Sequence, residues 1–103
     1  MANTFGTDIL IQSPDPKSAA RFYVEQLGFE IGEETPEMIS ILGPNINMFI
    51  VPGPALGPVL EVTVGDVEAA KRRLVQQGCT IVKDEAPHHY VRDPFGLVYN
   101  LTD

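Results

Sequence analysis

An internal repeat limits the folds open to this chain more than any other feature. Residues 8–15 read DILIQSPD, and residues 59–66 read VLEVTVGD. In both copies an aspartate ends a mostly apolar run, a helix-like pattern follows, and a glycine comes after it, Gly28 or Gly78. Similarity at a fixed offset predicts two copies of one supersecondary unit.

Local signals in each copy predict a strand followed by a helix. Asp15 and Asp66 stand where a helix N-cap belongs, because a short carboxylate accepts hydrogen bonds from the free N–H groups of the first turn. Pro16 suits the first helical position, where its missing N–H costs nothing. Apolar residues then recur at spacings of three and four, which indicates one amphipathic helix in each copy.

The strand before each helix has two unlike faces. One face is wholly aliphatic and should meet the helix; its members are Ile9, Ile11, Leu60, Val62 and Val64. The opposite face mixes apolar and polar groups, and its polar members are Asp8, Gln12, Glu61 and Thr63. That face is either a partly wet groove for a ligand or an ordinary solvent-facing surface.

Turn-forming residues divide the rest of the chain into short strands. We expect strands over residues 38–42, 46–51, 80–82, 88–92 and 97–101. The glutamates of segment 30–37 predict an exposed loop, and PGPALGP at 52–58 predicts a linker. The expectation is an α+β fold, one domain of two βαβββ halves at about 5–52 and 58–103.

The composition of the chain indicates which kinds of binding partner and cellular location to expect. The 103 residues carry a net charge of −7, so phosphate backbones are repelled and a nucleic-acid partner is not expected. The basic run at 71–73 is interpreted as a solvated helix face. No apolar run reaches membrane-spanning length and residues 1–4 show no secretory pattern, so we expect a cytoplasmic protein. Cys79 is the one cysteine and is expected in the core.

These features together resemble the vicinal oxygen chelate superfamily, which includes glyoxalase I, bleomycin-resistance proteins, fosfomycin-resistance enzymes and extradiol dioxygenases. The resemblance covers nearly the whole chain. The segments that carry it are Asp15 with Phe22-Tyr23, Leu27-Gly28-Phe29, the run DVEAA from Asp66, and DPFG from Asp93. It implies two units that form a curved mixed sheet with a ligand cleft, often in a homodimer.

Metal-dependent members of this superfamily place a histidine on the first strand and a glutamate on the last strand of each half. Carried over by resemblance, the first-strand positions are Asp8 and Val59, and the final glutamate position is Asn100. The remaining position falls at Met48 or, with a shift of one residue, at Phe49. Apolar side chains cannot bind a hard ion, so neither the inherited metal site nor any other cofactor is expected.

The leading hypothesis is a metal-free protein that binds a small organic ligand, aromatic or cationic, in the cleft. Its expected contacts are Asp8, Gln12, Glu61, His89 and Asn100, with Met48 or Phe49 as an apolar wall. The alternative is a lyase, isomerase or dioxygenase with a rearranged metal site that includes Asp8 and either His88 or His89. A third reading is an accessory module without a small ligand, stable only as a homodimer.

Overall fold

The computed structural model describes residues 4–103, which form eight strands and two helices. In chain order the elements are β1 (Thr4–Ser13), α1 (Pro16–Leu27), β2 (Glu30–Glu34), β3 (Ile39–Leu42), β4 (Asn47–Pro52), β5 (Leu56–Thr63), α2 (Val67–Gln76), β6 (Thr80–Glu85), β7 (His88–Arg92) and β8 (Val98–Thr102). The chain divides into a first unit, residues 7–58, and a second unit, residues 59–103 together with residues 4–6. The predicted α+β fold with two βαβββ copies is confirmed.

Both units use the same strand order. In the first unit the order is β2-β3-β4-β1, with β1 parallel to β4 and the other two pairs antiparallel. In the second unit it is β5-β8-β7-β6, with β5 parallel to β8 and again two antiparallel pairs. A parallel pair needs a crossover connection, and in each unit that connection includes the helix.

The predicted caps set the helix boundaries. The Asp15 carboxylate accepts a hydrogen bond from the Ser18 N–H at 3.1 Å, and Asp66 accepts one from the Ala69 N–H at the same distance. Helix α1 ends at Gly28, whose φ of +80° lies in the left-handed region that favours glycine. Both helices therefore begin where short-range chemistry predicts.

Each helix covers one face of its own sheet with an apolar core. In the first unit Ala20 of α1 packs with buried side chains of β3 and β4: Ile39, Ile41, Met48 and Ile50. In the second unit Ala70 of α2 packs with Val62, Val64, Cys79, Val91, Tyr99 and Leu101. Cys79 is buried as expected, and its sulfur lies 3.8 Å from the Tyr99 hydroxyl.

The structure corrects three expectations. Residues 30–34, predicted as a loop, form strand β2, whose five residues are all exposed. Strand β5 begins at Leu56, so the predicted linker ends inside a strand. Lys71 is buried rather than solvated, because its ammonium pairs with Glu68 at 2.8 Å and Asp84 at 2.7 Å, while Arg72 and Arg73 are exposed as predicted.

The lengths of the two helices can be compared with the length that a membrane-spanning helix needs. Neither helix within residues 4–103 is long and apolar enough to cross a membrane. The secretory pattern was sought in residues 1–4, of which residues 1–3 lie outside the described residues.

Shortening a buried side chain in the core of the first unit should lower the stability of the protein considerably. Ile50 is completely buried, and Ile50→Ala removes contacts beneath α1 and leaves a cavity, so we expect a loss of about 2–5 kcal/mol in the free energy of unfolding. Ile46→Ala, at a position that is 39% exposed, is the matched control and should cost far less. Equilibrium denaturation by urea measures both, and equal losses would contradict this description of the core.

Candidate functional site

The second unit carries a row of polar side chains on the sheet face opposite α2. Glu61 on β5 is paired in register with Asn100 on β8, Asn100 with Tyr90 on β7, and Tyr90 with Lys83 on β6. Their neighbours Val62, Leu101 and Val91 belong to the core beneath α2, so alternation along the strands turns this row to the other side. We call this row, together with His88, the polar face.

Asn100 fixes the orientation of the Glu61 carboxylate. The Asn100 side chain is only 4% exposed, and its Oδ1 accepts a hydrogen bond of 2.7 Å from the backbone N–H of His89. Its Nδ2 therefore points the other way and donates to the Glu61 carboxylate, at 3.3 Å and 3.4 Å from the two oxygens. An amide held at both ends cannot flip without losing a hydrogen bond, so it holds a half-buried carboxylate in place.

Tyr90 and His88 form a second pair on the polar face. Tyr90 is completely buried, and its hydroxyl lies 3.2 Å from Nδ1 of His88. Burial, followed by the negative charge of Glu61, raises the pKa of Tyr90 to about 12, so the phenol keeps its proton at neutral pH. Burial also lowers the pKa of His88, with Lys83 as the next cause, which favours the neutral imidazole.

Lys83 completes the row as a cation over an aromatic ring. Its ammonium nitrogen lies 5.8 Å from the centroid of the Tyr90 ring, a distance at which the ring quadrupole attracts a cation. The polar face thus presents a carboxylate, an imidazole, a phenol and an ammonium group within a short stretch of sheet. Sequence reasoning overlooked Tyr90 and Lys83, although Tyr90 lies two residues from His88 and must share its face.

In the first unit the corresponding sheet face holds fewer partners for a ligand. Asp8 faces Asn47 on β4, whose amide lies 3.5 Å from the carboxylate. Gln12 is only 6% exposed, and its amide donates to the Pro54 carbonyl at 3.0 Å, so it ties the chain after β4 to β1. Phe49 is half-buried on the same face as Asp8.

Two of the predicted contacts lie on the helix side of their sheets. Met48 belongs to the core beneath α1, so Phe49 alone of the two can form the apolar wall. His89 lies two residues before the buried Val91 on β7, so both side chains point to the same face of the sheet. The Nδ1 atom of His89 lies 2.9 Å from the Asp84 carboxylate. The structure therefore brings Glu61 and Asn100 together on one face with His88, while His89 points to the other side of the same sheet.

Among the residues at the inherited metal positions only Asp8 carries a carboxylate, so the set does not fit a divalent ion. Val59 is completely buried and has no donor atom in its side chain, and neither Met48 nor Phe49 offers nitrogen or oxygen. Asn100 already uses both ends of its amide within the fold. Across residues 4–103, no three His, Cys, Asp and Glu side chains are grouped so that they could hold a metal ion.

Comparisons with known proteins agree with this architecture. Residues 8–102 match the family model described as a glyoxalase-like domain, which confirms the predicted resemblance. A search among curated proteins found no match. The family model thus covers more than nine-tenths of the chain.

Solved structures with a similar fold have low sequence identity to this chain. A glyoxalase/bleomycin resistance protein/dioxygenase superfamily member from Vibrio splendidus 12B01 is 19% identical with a TM-score of 0.60, and the alignment covers 97% of this chain and 100% of that one. A hypothetical protein from Bacillus halodurans C-125 is 14% identical with a TM-score of 0.61, and the alignment covers 98% of this chain and 94% of that one. An extradiol ring-cleaving dioxygenase from B. fuscum is 22% identical with a TM-score of 0.57, over 93% of this chain but 31% of that one. These likenesses show the fold alone.

The ion pairs around Asp84 should control the pKa of its carboxyl group. Hydrogen bonds from Lys71, and then from His89, hold the pKa of Asp84 below its usual value of 3.8. Lys71→Met should raise this pKa, whereas Lys17→Met, at an exposed ion pair with Glu34, should leave it unchanged. A carboxyl ¹³C NMR titration measures the pKa, and an unchanged value in Lys71→Met would contradict the assigned cause.

The same shift fixes the sign of a pH effect on stability. A folded-state pKa below the unfolded one means that ionised Asp84 stabilises the fold above about pH 3.8, and that this contribution is lost as the pH falls through the lower folded-state value.

Proposed function

The chain belongs to the glyoxalase-like domain family, and from that premise we propose that it binds a small organic cation on the polar face of its second unit, without the metal ion used by metal-dependent relatives. The observation that carries the proposal is the Glu61 carboxylate, half-buried and held by the Asn100 amide. A carboxylate kept in place before the ligand arrives lowers the entropic cost of binding.

The charge of the polar face around Glu61 favours a cationic ligand. Glu61 supplies a negative charge, and a partly desolvated carboxylate interacts with an ammonium group more strongly than one in bulk water does. Lys83, the cation of this row, is held over the Tyr90 ring and lies three strands away from Glu61. The net charge of −7 also raises the local concentration of cations near the protein.

His88 supplies a second polar contact to the ligand. Because Tyr90 retains its proton, its hydroxyl can donate to Nδ1 of His88, which leaves the Nε2–H as a donor to a ligand oxygen or nitrogen. The ligand we propose therefore combines an ammonium group for Glu61 with an acceptor for His88. Asp8, Gln12 and Phe49 of the first unit stay predicted contacts.

The inherited positions are the reason for proposing a site without a resident metal ion. Val59 has no donor atom, and the Asn100 amide is used to hold Glu61. The cation that Glu61 meets would then belong to the ligand. Cytoplasmic location and a homodimer remain expectations of the same proposal.

The test compares three probes that share a phenethyl group and differ in the terminal group: phenethylammonium is a cation, phenethyl alcohol is neutral and 3-phenylpropionate is an anion. We expect the ammonium probe to bind most tightly, because only it pairs with the Glu61 carboxylate. Glu61→Gln removes the charge at nearly constant shape and should weaken this binding about tenfold or more, the value of a hydrogen bond to a charged group. Isothermal titration calorimetry measures the affinities.

A matched variant separates a specific contact from general attraction by an acidic protein. Glu30→Gln removes the same charge from an exposed residue of β2 in the first unit, and it should leave the affinity for phenethylammonium almost unchanged. Equal losses in Glu61→Gln and Glu30→Gln, or equal affinities of the three probes for the unmodified protein, would reject the proposed site.

A further inference from the structure

A continuous chain of hydrogen bonds crosses the sheet of the second unit, from the helix side to the polar face. On the helix side the Lys71 ammonium lies 2.7 Å from Oδ1 of Asp84, and the same oxygen lies 2.9 Å from Nδ1 of His89. The backbone N–H of His89 donates to Asn100 at 2.7 Å, and the Asn100 amide lies 3.3 Å and 3.4 Å from the oxygens of Glu61. These contacts connect α2 to the carboxylate on the opposite face.

The link between Asp84 and His89 has a fixed direction. Hydrogen bonds from Lys71, and then from His89, lower the pKa of Asp84, so its carboxylate is ionised at neutral pH and can only accept. Nδ1 of His89 is therefore the donor, whether the ring is neutral or charged. Hydrogen bonds to an ionised group are roughly twice as strong as those between neutral groups.

The paired part of β7 and β8 ends before His89. In-register pairs between these two strands run from Arg92 to Tyr90. Beyond the last pair, the N–H of His89 donates to the Asn100 side chain. On its other side β7 pairs with the edge strand β6, where Asp84 lies opposite His89. Contacts with β6, through strand pairing and through the Asp84 side chain, therefore hold the backbone at His89.

Lys71 ties this edge strand to the helix. A groove of about 420 Å³ lies between α2 and β6, and its apolar lining residues Val75 and Ile81 are 46% and 43% exposed. Apolar packing between α2 and β6 is thus incomplete at this groove. The Lys71 ammonium connects its two sides, since it pairs with Glu68 on α2 and with Asp84 on β6. Its side chain is only 11% exposed, which strengthens these pairs relative to pairs in water.

From this chain of contacts we infer that the ion pairs of α2 with β6 position the Glu61 carboxylate on the opposite face of the sheet. Lys71 and Asp84 hold His89 in place, and the His89 backbone holds the Asn100 amide. Loss of a link loosens Asn100 and so raises the entropic cost of binding at Glu61. This effect on affinity rests on the proposed function, whereas the orientation of Asn100 can be measured without a ligand.

The first experiment observes the side-chain amide of Asn100 in the protein without ligand. Lys71→Met removes the ammonium that holds Asp84, and we expect it to shift both ¹H–¹⁵N signals of the Asn100 side chain. Arg72→Met removes the same charge from the next, exposed residue of α2 and should leave these signals in place. Unchanged Asn100 signals in Lys71→Met, or equal shifts in the two variants, would overturn the inference.

Two further variants distinguish positioning from a general loss of stability. Asp84→Leu breaks the chain at a half-exposed position and should shift the Asn100 signals even if Lys71→Met does not fold. Leu74→Ala shortens a side chain packed against the core under the same helix, so it lowers stability but leaves the chain of hydrogen bonds intact. Shifts of the Asn100 signals in Leu74→Ala as large as those in Asp84→Leu would overturn the inference.

The second experiment measures the consequence for affinity by calorimetry with phenethylammonium. Asp84→Leu should weaken binding about threefold or more, and by more than Glu30→Gln does, because residues in one hydrogen-bond network are energetically coupled. Combined with Glu61→Gln, it should have almost no further effect, and an equal loss in both backgrounds would overturn the inference.

The two experiments also separate this inference from the proposed function. If phenethylammonium does not bind the unmodified protein while Asp84→Leu still shifts the Asn100 signals, the proposed function fails and the positioning of Glu61 stands. If phenethylammonium binds through Glu61 but Asp84→Leu shifts nothing at Asn100, the proposed function stands and the positioning is rejected.

Discussion

Each unit packs a single helix against a four-stranded sheet, and this one-sided packing decides what the other face can do. Side chains that pack beneath α2, such as Val62, Val91 and Leu101, are apolar because they join a core without water. Their neighbours along the strand point the other way and are free to be polar. The row from Glu61 to Lys83 exists because four strands in register present alternate residues on the side away from α2.

Asn100 links the fold to the proposed chemistry. The resemblance places a metal-binding glutamate at this position in metal-dependent relatives, whereas here a neutral amide accepts from the His89 N–H and donates to Glu61. The carboxylate on this face is therefore Glu61 of β5, and it is held by the residue at the expected ligand position on β8.

Short-range signals allowed the repeat, both helices and the fold class to be predicted, since Asp15 and Asp66 cap helices through contacts within one turn. The facing of individual strand residues was harder to predict. The run from Met48 to Val51 is apolar throughout, so it contains no alternation from which to choose between Met48 and Phe49. For the pair His88 and His89 the deciding fact is the pairing of Tyr90 with Asn100, a contact between strands that the sequence alone does not supply.

Strand β2 was not predicted for a similar reason, because its five exposed residues lack the apolar alternation of a half-buried strand.

A crystal structure of the complex with phenethylammonium shows whether Glu61 receives the charged end of a ligand. We expect the ammonium nitrogen within about 3 Å of a Glu61 carboxylate oxygen, with the Asn100 amide still bonded to that carboxylate. A bound probe that makes no contact with Glu61 would contradict this expectation.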